Sequence, residues 1–389
     1  MSTTPSGLMV TEDEATVAQV VEEFIRVHDD LPTSRTRIED GAPYPRSTWT
    51  RAARELGLAG VASPEHLGGA GLGFRGLCVV MESVGRHLAL APLLPTVAMA
   101  VPALLACGPT SAATDLLGRI HDGTTLTTLV LGTACAPFVS QTKLRAVEDG
   151  TAPGAFRVSG TVSYVVGAAD ADVLLVIAQH RGIDRLFAVD PSAAAVQVRP
   201  LDTLDLTRAA AAVALSDVPA KLISAAADAF PTRQVLAIAS IAHSCEQVGA
   251  ASRSLDRAVG YAGLRVQFGR AIGSFQAVKH RCVDMLVELE GARSAVYHAR
   301  RCTGQDADQL TTAASLAKVR ASTALTSIAT SALHVHGGLG FTWEDDSHLY
   351  LRRAKSSAAY LGQPHRHLEW LASELLGDEP GRDDIGEAS

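Results

Sequence analysis

Three runs constrain this chain more than any other feature: Arg233–Gly260, His280–Cys302 and Leu310–His334. Each carries apolar residues at helical spacing and contains no proline. Helices that long bury their apolar faces most readily against one another, so the C-terminal part reads as a helical bundle.

The chain upstream changes character twice. Thr125–Leu131, Phe156–Val158, Val173–Ala178, Arg185–Val189 and Val196–Val198 are short, β-branched or apolar, and separated by Gly, Asp and Pro. They predict an all-β segment. Before it, Thr11–Asp29, Thr48–Leu56 and Leu77–His87 show helical spacing, and Ala89–Cys107 reads as a buried helix after a proline-bearing turn. The expected fold class is α+β. Residues 1–117 form a helical domain, 118–224 a β-barrel or sandwich, 225–376 a four-helix bundle, and 377–389 a mobile Gly/Asp/Glu-rich tail.

Composition removes several function classes. Net charge is -7, and no basic stripe suits nucleic acid or a membrane surface. The most apolar stretch, Leu88–Ala106, is broken by Pro92, Pro95 and Pro102, which argues against a membrane span. Met1–Val10 lacks the basic start and apolar core of a signal peptide, so the expected location is the cytoplasm. No two of the six cysteines stand at C-x-x-C spacing, so reduced, mostly buried thiols are expected.

Three motifs carry the chemistry. The first is Arg265-Val-Gln267-Phe268-Gly269-Arg270-Ala-Ile-Gly273-Ser-Phe275-Gln276. The second is His334-Val-His336-Gly337-Gly338-Leu-Gly340-Phe341-Thr342-Trp343-Glu344. The third is Leu56-Gly57-Leu58 followed by Pro64-Glu65-His66-Leu67-Gly68-Gly69-Ala70-Gly71. A guanidinium such as Arg265 offers fork-shaped donors to a diphosphate. Paired glycines let backbone N–H groups approach phosphate without a Cβ in the way. His334 and His336, two apart on a helix, point to nearly opposite sides and would not share a metal ion.

In order and spacing these motifs resemble those of the acyl-CoA dehydrogenase family, over residues from about 12 to 372. The resemblance implies FAD as cofactor, an acyl-CoA substrate and an electron-transfer flavoprotein or similar acceptor. It implies that Arg265, Gln267 and Phe268 grip FAD from one subunit while Gly337 and Gly338 grip it from a neighbour, hence a homo-oligomer or a heteromer with a related subunit. Gln276 would contact the adenosine end. His334, standing where the family has Gln, and Tyr164, standing in its W-I-T-N strand, are candidate flavin contacts.

The chain also departs from the family. Where many members have a catalytic Glu after Tyr, this one has Tyr360-Leu361-Gly362, and the alternative base position falls at Ala239. The Thr that faces flavin N5 is replaced by Val166, and Leu131–Pro137 occupies the place of the T-E-P loop. Glu246 shares a helical stripe with Ala239, His243 and Ala250, and is the candidate base for the C2 proton. That role calls for an apolar site to raise its pKa. Leu361 keeps a backbone N–H for the thioester oxygen. Two alternatives accompany this reading: a non-catalytic FAD-holding subunit of a heteromer, and a flavin monooxygenase or oxidase on the same fold. His365 and His367 read as surface residues or a helix end.

Overall fold

The computed structural model describes residues 11–131, 143–150, 155–225, 229–304 and 306–376. The expected tail and most of Leu131–Pro137 lie outside them.

The chain opens with helices α1 (Glu12–His28), α2 (Leu31–Asp40), α3 (Arg46–Leu56) and α4 (Gly73–His87). A capping box at Thr11 and Glu14 starts α1, and Gly57 in the left-handed region ends α3. The expected buried helix after Leu88 is not regular. Leu93–Ala100 is π-helical and leads into the short α5 (Val101–Leu105). Pro95 falls in the first turn of the π-helix and Pro102 in the first turn of α5, where a missing N–H costs least. Helix α6 (Ser111–His121) carries the helical domain past the expected boundary at 117.

The middle domain holds β1 (Thr127–Val130), β2 (Arg145–Glu148), β3 (Ala155–Val166), β4 (Val173–His180), β5 (Ile183–Val189), β6 (Val196–Pro200) and β7 (Ala210–Leu222). Strands β4, β2, β3, β7 and β5 pair in a ring that closes where β5 returns to β4. This is a barrel, with β1 added along β4 and β6 along β7. Its core includes Phe156, Val176, Phe187 and Val213.

Helix α7 (Thr232–Leu264) begins the bundle. A small hairpin, β8 (Val266–Gln267) and β9 (Arg270–Ala271), joins it to α8 (Gln276–Arg301), followed by α9 (Ala307–His336), α10 (Ser347–Ala359) and α11 (Pro364–Leu376). Among the described residues no helix is long and apolar enough to cross a membrane.

Helix α4 crosses α7 at backbone contact. Gly85 faces the Glu246 carbonyl, and Gly249 faces the Glu82 carbonyl, so a Cβ at either would overlap the opposing backbone. The two glycines thus fix the height of Glu246 relative to the N-terminal domain. Gly85→Ala and Gly249→Ala are each expected to destabilise by about 1–3 kcal/mol through overpacking. Gly118→Ala on α6, where a Cβ meets nothing, serves as the control. Thermal melts that leave Gly85→Ala unchanged would contradict the backbone contact.

Candidate active site

Glu246 projects from α7 into the join between the three domains and is 2% exposed. Its Oε1 accepts from Arg208 Nη2, from the segment between β6 and β7, and from Arg353 Nη1 on α10. Arg353 also donates from Nε to Asp205 Oδ2 at 2.8 Å and from Nη2 to the Thr207 carbonyl at 3.0 Å. Asp205 is tied in turn to the Thr207 N–H at 3.0 Å. Two cations and two anions therefore meet out of water, all four nearly or fully buried. Glu246 Oε2 has no hydrogen-bond partner among the described residues. The apolar surround expected for Glu246 is not what the structure shows: two guanidinium groups hold one of its oxygens.

Further polar groups lie behind this cluster. Lys318 on α9 is fully buried, and its Nζ donates to the Ser357 carbonyl at 2.6 Å. Burial pushes Lys318 down to about 7, with Arg208 adding to the shift and Glu246 opposing it. His243, on the stripe with Glu246, is held well below its ordinary value by burial and by the cations nearby.

Leu361 and Tyr164 line a second cavity, of about 610 Å³, walled also by Val162, Leu204 and Tyr360. The Tyr164 and Tyr360 rings are 6.1 Å apart. Leu361 lies in the left-handed region at φ 58°, unusual for a non-glycine residue. Its carbonyl is held by His367 Nε2 at 3.0 Å, and His367 Nδ1 meets Ser315 Oγ at 3.1 Å. A carbonyl only accepts, so Nε2 carries the proton and Nδ1 accepts from the serine. His367 is not the surface residue expected from the sequence. It is fully buried and fixes the peptide that follows Leu361, whereas His365 is exposed.

The predicted FAD-binding residues gather elsewhere. Arg265 caps α7, Gln267 and Phe268 sit on the hairpin, and Gln276 opens α8; all four are exposed. Phe268 and Gly269 both have positive φ, which makes the tight turn. At the end of α9, His334 is exposed and Gly337 and Gly338 are open to solvent. His336 is buried, bonded through Nδ1 to the Ala332 carbonyl at 2.8 Å and stacked on Tyr261 at 4.5 Å. That stack sets the ends of α7 and α9 side by side, so Arg265 and the glycine pair lie on adjoining helix ends. Among the described residues no group of three His, Cys, Asp or Glu side chains is placed to hold a metal.

These groups fit a flavin dinucleotide: an exposed guanidinium, and a glycine pair where a Cβ would meet nothing. The tyrosine-walled cavity suits an apolar ring system. The structure brings Tyr164 together with Leu361, and it sets Arg265 beside Gly337 and Gly338 in one chain, where the sequence had them acting from different subunits. It separates these two sets, and Glu246 lines a third place. The motifs gave no sign of Arg208, Lys318 or His367. Arg353 carried a readable signal, since it falls on the same buried face of α10 as Leu349 and Ser357.

Comparison with known proteins adds three findings. Residues 11–124 match the family model described as acyl-CoA dehydrogenase, N-terminal domain, and residues 232–376 match acyl-CoA dehydrogenase, C-terminal domain. Acyl-CoA dehydrogenase IpdE2 of Mycolicibacterium smegmatis is 31% identical over 368 residues, 94% of this chain and 100% of the relative. Among solved structures, the Tcur3481-Tcur3483 steroid ACAD is similar with TM-score 0.82 and 30% identity, covering 94% of this chain and 98% of that one. The ChsE4-ChsE5 complex from Mycobacterium tuberculosis has TM-score 0.84 and 25% identity, covering 97% and 100%.

His367 gives a test by pH. Burial lowers it from 6.5 to about 4. As pH falls through 6.5 the unfolded chain takes up a proton that the native ring refuses until about 4. The site therefore contributes stability above 6.5 that is lost between 6.5 and about 4. The wild-type melting temperature should fall more steeply with acid across this window than that of His367→Gln. Parallel curves would mean that His367 does not stay neutral in the fold.

Proposed function

This chain belongs to the acyl-CoA dehydrogenase family and is an FAD-dependent acyl-CoA dehydrogenase. From that premise we propose that Glu246 takes the C2 proton of the acyl group; the expected Leu361 N–H donor lines the other cavity and is left out of this reading. The observation that carries this reading is the state of Glu246: one carboxylate oxygen is clamped by two arginines, the other is buried with no hydrogen-bond partner among the described residues, and the residue lines a cavity that Val166 also lines. Val166 stands at the position that faces flavin N5 elsewhere in the family.

FAD, when bound, supplies the acceptor for the hydride leaving C3. The protein's own groups do the rest. Negative charge grows on the thioester oxygen as the proton leaves, and a donor already fixed at that point lowers the barrier. The arginine pair keeps the Glu246 carboxylate from turning, which presents the same oxygen to every substrate.

The position of the FAD-gripping residues supports an oligomer. Ser315, beside the Leu361 cavity, and His336, beside the glycine pair, are both on α9 and stand about 30 Å apart along its axis. One dinucleotide would be hard pressed to reach both within a chain, so the exposed end would serve a neighbour's cavity. Leu264, Phe268 and Phe341 are more than two-thirds exposed there, as a subunit contact requires. An electron-transfer flavoprotein or similar acceptor would take the electrons onward.

A second reading draws on the same ionic cluster. Two guanidinium groups already occupy one Glu246 oxygen, which favours a chain that holds FAD while a related subunit carries the base. Both named solved structures are described by two component names.

Glu246→Gln decides between them. The purified variant should stay yellow, yet the flavin should no longer bleach when an acyl-CoA is added under argon, with a rate loss of at least about a hundredfold. Normal bleaching would remove Glu246 from the reaction. Wild-type protein that binds FAD but bleaches only after a companion subunit is added would favour the second reading.

A further inference from the structure

The cavity beside Glu246 contains polar groups that the proposed reaction does not use. It measures about 70 Å³, room for a few heavy atoms. Much of its wall is apolar, including Leu90, Pro95, Leu126 and Val166. Tyr44, from the loop before α3, and Thr127, at the start of β1, line it as well. Tyr44 Oη and Thr127 Oγ1 are both buried and have no hydrogen-bond partner among the described residues. Thr127 spends only its backbone on its neighbour: its carbonyl accepts from Thr96 Oγ1 at 2.8 Å, and its N–H donates to the same oxygen at 3.4 Å. The hydroxyl is left over.

Buried hydroxyls without partners are uncommon in folded proteins, and two that line one small cavity call for a ligand atom. The charges around the cavity narrow its chemistry. Arg208 and Arg353 line it but are committed to Glu246, Asp205 and Thr207. Glu246 has one carboxylate oxygen with no hydrogen-bond partner among the described residues, and Asp170 is a second acid on the wall. An anionic substituent would meet those acids, and both cations among the described lining residues are already committed. Burial keeps the Tyr44 phenol protonated, so it can donate as well as accept.

We infer that Tyr44 and Thr127 form a subsite for a neutral hydrogen-bonding oxygen, a hydroxyl or ketone, carried on the acyl group a few bonds from C2. This rests on the Glu246 reading, which puts C2 in the same cavity. The substrate class becomes a short or locally compact acyl segment with an oxygen substituent, in place of a plain alkyl chain.

The test uses the FAD-loaded protein, with its companion subunit if one is required. Butanoyl-CoA, its γ-hydroxy derivative and succinyl-CoA are compared by titration calorimetry and by flavin bleaching. The hydroxy thioester should bind about tenfold more tightly than butanoyl-CoA, and succinyl-CoA more weakly than either. The near-isosteric pair Tyr44→Phe and Thr127→Val should cut the hydroxyl preference to within about twofold. Equal binding of the first two, a preference for succinyl-CoA, no binding by any of the three, or a preference that survives both substitutions would overturn the subsite. Glu246→Gln separates the two claims. Bleaching that survives this change while the hydroxyl preference persists removes the base and leaves the subsite standing.

Discussion

The ionic cluster of Asp205, Arg208, Glu246 and Arg353 is where the three parts of the chain are joined. Asp205 and Arg208 come from the β domain, Glu246 from the first bundle helix and Arg353 from the fourth. The N-terminal domain is held against the same point by the glycine crossing. Removing one member of such a buried set costs about 3–5 kcal/mol, because its partner stays behind as an unpaired charge. A well-packed apolar replacement of the whole set would cost far less. The cluster is therefore better understood as fixing where the domains meet, and which carboxylate oxygen stays free, than as a source of net stability.

Much of the architecture was legible in the sequence because it rests on periodicity. The long bundle helices follow from their apolar faces, and the short β-branched runs mark most of the barrel. The misses have physical causes. Strand β7 is alanine-rich at its start, Ala210-Ala-Ala-Val-Ala, and alanine has little strand preference, so the pairing with β3 and β6 decides its state. The π-helical Leu93–Ala100 looks apolar and helical in one dimension, and nothing in its pattern marks the wider turn.

The site was legible in a different proportion. Motif residues such as Arg265 and Gly337 are exposed and set by local turns, so spacing reveals them. Glu246 stands out by its stripe, but the groups that hold it do not. Arg208 lies nearly forty residues earlier and Arg353 more than a hundred later, and no local pattern relates them. His367 was misjudged for the same reason. Its near neighbours His365 and Arg366 are exposed, and only the return of α11 toward Ser315 on α9 buries it.

The glycine crossing has a mechanical consequence. Two helices in backbone contact through reciprocal glycines have no compressible side chains between them and cannot slide without losing the fit. The N-terminal domain and the bundle should then behave as one stiff jaw.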